Sequence, residues 1–183
     1  MTALKLVQAV QILKAGGIVA CPTEAVYGLS CDPLQKPAVE RLLAIKSRSI
    51  GKGLILVASS IEQLPGFVSI PEENREAILM SWPGPATWLL PAGNDAPTWI
   101  KGDHDTIAMR VTAHPLMAEL CEAFGHCLVS TSANISGEPA ARSGLQVQQQ
   151  LGNQIDLILH AGTGTSRKPT TIRDAITGKV IRG

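Results

Sequence analysis

Four short stretches gather polar side chains where apolar runs end. "PTEAVYGLSCDP", from Pro22 to Pro33, brings Thr23, Glu24 and the single tyrosine of the chain, Tyr27, directly after the apolar run from Ile18 to Cys21. "IKSRSIGKG", from Ile45 to Gly53, carries Lys46, Arg48 and Lys52. "VSTSANISG" ends an apolar run in Ser130, Thr131, Ser132 and Asn134, and "DTIAMR" sets Thr106 and Arg110 four apart, on one face of a strand. Cations, hydroxyls and an amide can position and neutralise an anionic ligand, with backbone glycines at 51 and 53 allowing close approach. Each stretch also has a plainer reading. Cations at a helix C-terminus interact with its dipole by about 0.3–1 kcal/mol, Ser and Asn suit capped turns, and Arg110 could meet an acidic residue of the chain instead of a ligand carboxylate or phosphate.

Other chemistries find no pattern. Gly51-Lys52 and Gly178-Lys179 do not complete a P-loop, and Gly162-x-Gly164 lacks the third glycine of a dinucleotide fingerprint. His104, His114, His126 and His160 show no metal-ligand spacing. Ser130-Thr131-Ser132 has no nucleophile elbow around it. The four cysteines, Cys21, Cys31, Cys121 and Cys127, have no C-x-x-C spacing, and Cys21 and Cys127 sit in strand patterns as small hydrophobes.

The elements that must hold these clusters follow from periodicity. Leu4, Val7, Val10 and Leu13 recur at helical spacing before Gly16-Gly17. Ile18 to Cys21 and Leu54 to Val57 read as buried strands, and Pro37 to Lys46 as a helix with proline near its start. Ser60-x-x-Gln63 and Ser69-x-x-Glu72 resemble capping boxes, each opening a helix, the second running to about Trp82; Ser143-x-x-Gln146 opens another. "WPGPATWLLPA" breaks and resumes as a strand. Thr106 to Val111, Cys127 to Ser130 and Ile155 to Leu159 are strands, Pro115 to Phe124 is a helix, and Ile172 to Ile181 is a hairpin about Thr177-Gly178. Alternating helices and strands, with several strands in succession near the end, predict an α/β fold with a mixed sheet and flanking helices. Residues 136–144 and 161–169 read as loops or lids beside the polar clusters.

A chain of 183 residues with 45% hydrophobic and 17% charged residues can bury one real core, and we expect a single domain over residues 1–183. With 3% aromatic residues that core is aliphatic. A net charge of +1 argues against a dedicated nucleic-acid binder. No apolar stretch approaches the roughly 20 residues of a membrane span. The first helix does not resemble a signal peptide, so a cytoplasmic location with reduced thiols is expected.

Taken in order, the clusters resemble those of the YrdC-type threonylcarbamoyl-AMP synthases, over nearly the whole chain. "PTEAVYGL" looks like that family's P-T-E-[TA]-V-[YF]-G-[LV] segment, Lys46-Ser47-Arg48 like its K-x-R, and Ser132-Ala133-Asn134 like its S-x-N; "WPGPAT", "AMRV", "HPL" and "IRDAITGKVIRG" follow in the expected order. The resemblance implies a twisted sheet around a deep, positive cavity. It also implies a reaction in which L-threonine, bicarbonate and ATP give threonylcarbamoyl-adenylate and pyrophosphate. The product would pass to a threonylcarbamoyl-transferase complex that modifies adenosine 37 of tRNAs reading ANN codons.

On that resemblance Lys46 and Arg48 are the catalytic pair. ATP would meet Arg48, Lys52, Thr106, Ser132, Asn134 and Arg182, with Mg2+ sharing the charge. Threonine would meet Thr23, Tyr27, Arg110, Ser130 and Thr170. Ala25, Val57 and Ser49 depart from residues common in relatives, and an end near Gly183 resembles the short bacterial form, which bears on the threonine contacts more than the nucleotide ones. Two other readings use the same residues. One is an RNA-binding module whose basic cavity grips tRNA or double-stranded RNA, although aromatic residues for base stacking are few. The other is a carbamoyl-transfer domain of a larger hydrogenase-maturation protein.

Overall fold

A computed structural model describes residues 3–166 and 170–182; of the expected loop at 161–169, residues 167–169 lie outside the described residues, as do residues 1, 2 and 183 of the expected domain. The elements run α1 (Ala3–Lys14), β1 (Val19–Pro22), β2 (Tyr27–Ser30), α2 (Lys36–Ile45), β3 (Ile55–Ala58), α3 (Arg75–Met80), β4 (Ala86–Pro91), α4 (Thr98–Lys101), β5 (Thr106–Val111), α5 (Pro115–Phe124), β6 (Leu128–Val129), β7 (Thr131–Ser132), α6 (Gly144–Leu151), β8 (Leu157–Ile158), β9 (Thr171–Asp174) and β10 (Val180–Arg182).

The strands form two mixed sheets where the periodicity predicts one. The first has the order β7-β2-β1-β8 and the second β10-β9-β4-β5-β3-β6. In the larger sheet β3 runs parallel to β5 and β4 to β9, while β4–β5, β3–β6 and β9–β10 are antiparallel. The expected strand over 127–130 is where the sheets meet. Its first half pairs with β3, the Ser130 amide donates to the Ile55 carbonyl at 2.8 Å, and Thr131 and Ser132 leave to pair with β2. The three apolar residues Cys127, Leu128 and Val129 cannot reveal that the chain changes sheets just after Ser130.

Two apolar clusters support the sheets. The larger joins Ile18, Leu29, Leu56, Leu90, Met109 and Val129 with residues of α2, α4 and α6. The smaller packs Ala9 and Leu13 of α1 against Met117, Leu120 and Phe124 of α5 and against Val19 and Val57. The stripe expected on α1 holds at Val10 and Leu13 and fails at Leu4 and Val7, which are 78% and 53% exposed, while Ala9 is buried.

Local chemistry explains which helix starts hold. Ser143 caps α6 by accepting from the Gln146 amide at 3.2 Å. Ser60 makes no side-chain cap bond, and only a short 3-10 turn, Ile61–Gln63, follows. After Ser69 the chain passes Pro71 and a 3-10 turn before α3 begins at Arg75. Prolines at 65 and 71 fix φ and remove N–H donors where a helix would have to run. Short α4 has no such signal in the sequence. It lies against the 50–53 turn, where the Leu54 amide donates to Ile100 O at 2.9 Å and that of Asp103 to Gly51 O at 3.1 Å. A Cβ on Gly102 (φ 63°) would stand 2.5 Å from Gly51 O, so the glycines here let two backbones meet.

Candidate active site

Residues of both sheets line a partly open cleft with two compartments. The first, about 250 Å³, is lined by Thr23, Tyr27, Arg110, Ser130, Ser132 and Thr170, among others. The second, about 260 Å³, is lined by Lys52, His104, Thr106, Ala108 and several aliphatic side chains. Arg48, Leu54, Ile55 and Arg182 border both. A larger, open hollow of about 360 Å³ lies between Glu40 and Ile50 and collects Arg48 as its one cation. The polar groups converge on the two compartments of the cleft.

Strand β5 runs along both compartments. Its alternation turns Thr106, Ala108 and Arg110 to the cavity and Ile107, Met109 and Val111 into the core. Arg110 is 5% exposed. Its Nη1 donates to Thr170 Oγ1 at 2.9 Å, and its Nη2 lies 3.5 Å from Glu24 Oε2. Burial pulls this guanidinium below the usual arginine range, and Glu24 opposes that shift. Glu24 is itself held by Thr112 Oγ1 at 2.6 Å and the Ala113 amide at 3.2 Å, both donating to Oε1. Sequence reasoning placed Glu24 in a polar stretch and gave it no role. The carboxylate in P-T-E beside a strand arginine was the available signal.

The turn between β1 and β2 carries Thr23, whose hydroxyl donates to Val26 O at 2.8 Å. Tyr27, fully buried, donates to Ala161 O at 2.7 Å and accepts from the Ala161 amide at 3.2 Å. The 161–166 segment is fastened further by His114 to Gly162 O at 3.1 Å and by the Gly164 amide to Thr23 O at 2.9 Å. At the sheet junction, a Cβ on Gly28 would come within 3.1 Å of Ser130 Oγ; glycine there leaves room for the hydroxyl.

Arg48 and Arg182 both line the two compartments, and among the described residues neither has an acidic partner. Arg48 donates from Nη2 to Gly53 O at 3.0 Å, and its Nε is buried without a partner. Burial, then the nearby Arg182, pulls Arg48 below the usual arginine range. Lys52 is exposed at the rim of the second compartment. Lys46 and Asn134 stand apart: they are 3% and 9% exposed, and neither is among the residues lining the compartments.

Among the described residues no three of His, Cys, Asp and Glu lie close enough together to hold a metal ion, and no helix is long and apolar enough to cross a membrane. The four cysteines are buried as free thiols. Burial pushes Cys121 and Cys127 up to about 12, and Cys21 and Cys31 higher still, so none is poised as a nucleophile.

A family model described as "Telomere recombination", grouping Sua5, YciO and YrdC proteins, matches residues 11–183. The chain belongs to the Sua5/YciO/YrdC family. Among relatives in it, a threonylcarbamoyl-AMP synthase of Stenotrophomonas maltophilia is 50% identical over 185 residues, covering 100% of both chains. One of Nitrosococcus oceani is 49% identical over 175 residues, covering 95% of each. Among solved structures, P. abyssi Sua5 complexed with L-threonine superposes with a TM-score of 0.88 at 34% identity; the match covers 95% of this chain and 52% of that longer one. E. coli YciO superposes with a TM-score of 0.85 at 27% identity, covering 100% of this chain and 92% of its own. None of these relatives is described as an RNA-binding module, and that alternative gains no support.

Proposed function

We propose that the chain is an ATP-dependent threonylcarbamoyl-adenylate synthase, acting as one domain over residues 1–183. The observation that carries this reading is the pair Arg48 and Arg182, two guanidiniums without acidic partners among the described residues, at the border of two compartments. Like charges converging on one cleft favour a polyanion there. Each compartment is smaller than the roughly 300 Å³ at which ordinary ligand pockets begin, so a nucleotide and an amino acid together need both.

In this reading the second compartment, with Thr106 and Lys52, takes the nucleoside end of ATP, and the arginines and Ser132 meet its phosphates. The first compartment takes L-threonine among Thr23, Tyr27, Arg110, Ser130 and Thr170. The threonine amine adds to the carbon of CO2 and loses a proton, or adds to bicarbonate with the C–OH bond breaking and water leaving; either route gives a carbamate. A carbamate oxygen then bonds to the α-phosphorus while the bond from that phosphorus to the bridging oxygen breaks, and pyrophosphate leaves with the electron pair. Arg48 and Arg182 hold reactants and neutralise charge at the meeting point, so no protein nucleophile is needed. Mg2+ would enter with the triphosphate, held by phosphate oxygens and water, and would share their charge.

The product is a reactive mixed anhydride, suited to a transferase complex that places the threonylcarbamoyl group on tRNA in the cytoplasm. The deciding experiment is pyrophosphate release from ATP, with threonine and bicarbonate omitted in turn. Release should require both. Full release with neither would sink the synthase reading.

A further inference from the structure

Ser47, between the two cations of the Lys46-Ser47-Arg48 segment, has a left-handed backbone with φ 49°. On one side of it Arg48 enters the cavity wall. On the other, the Lys46 ammonium meets three acceptors: Ser132 O, Asn134 O at 2.9 Å and Asn134 Oδ1 at 3.3 Å. An ammonium has three N–H donors, so none remains for a ligand.

Both side-chain donors of Asn134 are used as well. Its Oδ1 accepts from Lys46, and its Nδ2 donates to Ile135 O at 3.0 Å and Glu138 O at 2.5 Å. The Lys46 carbonyl completes the contact by accepting from the Ser136 amide at 3.0 Å. Lys46 thus grips the 132–138 loop through both its main chain and its side chain. The residue it fixes most directly is Ser132, whose carbonyl it holds and which itself lines the first compartment.

We propose that Lys46 and Asn134 are positioning residues, a clamp that sets Ser132 opposite Arg48, and that neither touches the phosphates. In each of the two motifs one member lines the cavity, Arg48 and Ser132, while the other, Lys46 and Asn134, joins the motifs behind it. This replaces the catalytic role expected of Lys46 and the ATP contact expected of Asn134 from the sequence. It rests on the synthase reading for its kinetic consequences, but the loop clamp itself can be read without substrate. The ammonium suits the place because two carbonyl dipoles and an amide oxygen converge there. An apolar side chain there would leave Asn134 O and Oδ1 without the ammonium and the Ser132 carbonyl with only the Asn134 amide, at 3.0 Å, as donor.

The test uses the full chain with Lys46→Met, Asn134→Ala and the double variant. The readouts are affinity for a non-hydrolysable ATP analogue, kcat for pyrophosphate release, and amide hydrogen exchange of residues 132–138. Wild-type release tests the synthase reading separately. The clamp predicts that Lys46→Met keeps analogue affinity within about threefold, loses at least about tenfold in kcat and exchanges faster over 132–138. It also predicts that the double variant is no worse than the poorer single one, because one device is broken twice. A Lys46→Met protein that loses about tenfold or more in analogue affinity with wild-type exchange over 132–138 would overturn the proposal, as would losses that multiply in the double variant. If Lys46→Met does not fold, Asn134→Ala decides alone. Faster loop exchange with reduced kcat and retained affinity supports the clamp, and unchanged exchange and kcat reject it.

Discussion

The Glu24 carboxylate and the Arg110 guanidinium lie 3.5 Å apart, both almost fully buried, with only the arginine reaching the cavity wall. Glu24 comes from the turn after β1 in one sheet, and Arg110 from β5 in the other. The pair is therefore a tie between the sheets at the cavity wall. It also balances a charge that the cavity would otherwise leave isolated. Breaking such a pair by removing one partner costs about 3–5 kcal/mol, because the other charge stays buried alone. Glu24→Ala should lower the melting temperature steeply. An Arg110→Met/Glu24→Leu double variant should recover much of that stability and still lack threonine-dependent pyrophosphate release. A stable Glu24→Ala protein would show that the carboxylate is not what holds Arg110.

Tyr27 is the second link, joining β2 to the 161–166 segment through both the amide and the carbonyl of Ala161. Tyr27→Phe keeps the ring and removes only these two bonds, each worth roughly 0.5–1.5 kcal/mol. We expect a modest loss of stability, with faster hydrogen exchange confined to residues 161–166 and a raised KM for threonine. Unchanged exchange there would mean that His114 and Thr23 hold the segment without the tyrosine.

These two ties also mark the limit of what the sequence discloses. Period-two alternation in "DTIAMR" correctly put Thr106 and Arg110 on one face, because a strand's geometry is local. The partner of Arg110 was undecidable, since Glu24 is brought to it only by the packing of two sheets. The direction of Lys46 was hidden for a related reason: a cation at a helix end reads the same whether it meets a ligand or two carbonyls. The helix over Pro115–Phe124 was legible to the residue, with proline at its start and Gly125 in a left-handed conformation (φ 102°) after its end.

A third tie should show itself in acid. Asp156 accepts from Arg41 Nη1 and Nη2 at 2.6 and 3.1 Å and from the Ile18 amide at 2.7 Å. The hydrogen bonds from Arg41 hold its carboxyl below the ordinary value of 3.8, with burial opposing and the Ile18 amide assisting. A depressed folded-state value means stability that is present above 3.8 and lost as the pH falls through the lower folded value. The wild-type advantage over Asp156→Asn in melting temperature should therefore hold at neutral pH and shrink below about pH 3.8. An advantage that persists into strong acid would exclude this carboxylate as its source.

Arg48 separates ligand chemistry from scaffold chemistry. Its one good internal bond, Nη2 to Gly53 O at 3.0 Å, lies beside the end of α2, where a cation adds only about 0.3–1 kcal/mol through the helix dipole. If that were its role, Arg48→Ala would lose a little stability and keep its turnover. Its place beside Arg182 at the border of the compartments argues otherwise. Removing one charge-assisted phosphate contact should cost roughly 1.5–3 kcal/mol, or about tenfold or more in ATP-dependent turnover. Stability should change little, because the variant relieves the repulsion between the half-buried Arg48 and the exposed Arg182. Arg48→Lys keeps the charge and loses the planar fork, so it should restore only part of the activity. Melting temperature and turnover measured on the same two variants decide between the roles. A destabilised, fully active Arg48→Ala would return Arg48 to the scaffold and remove the observation on which the polyanion seat rests.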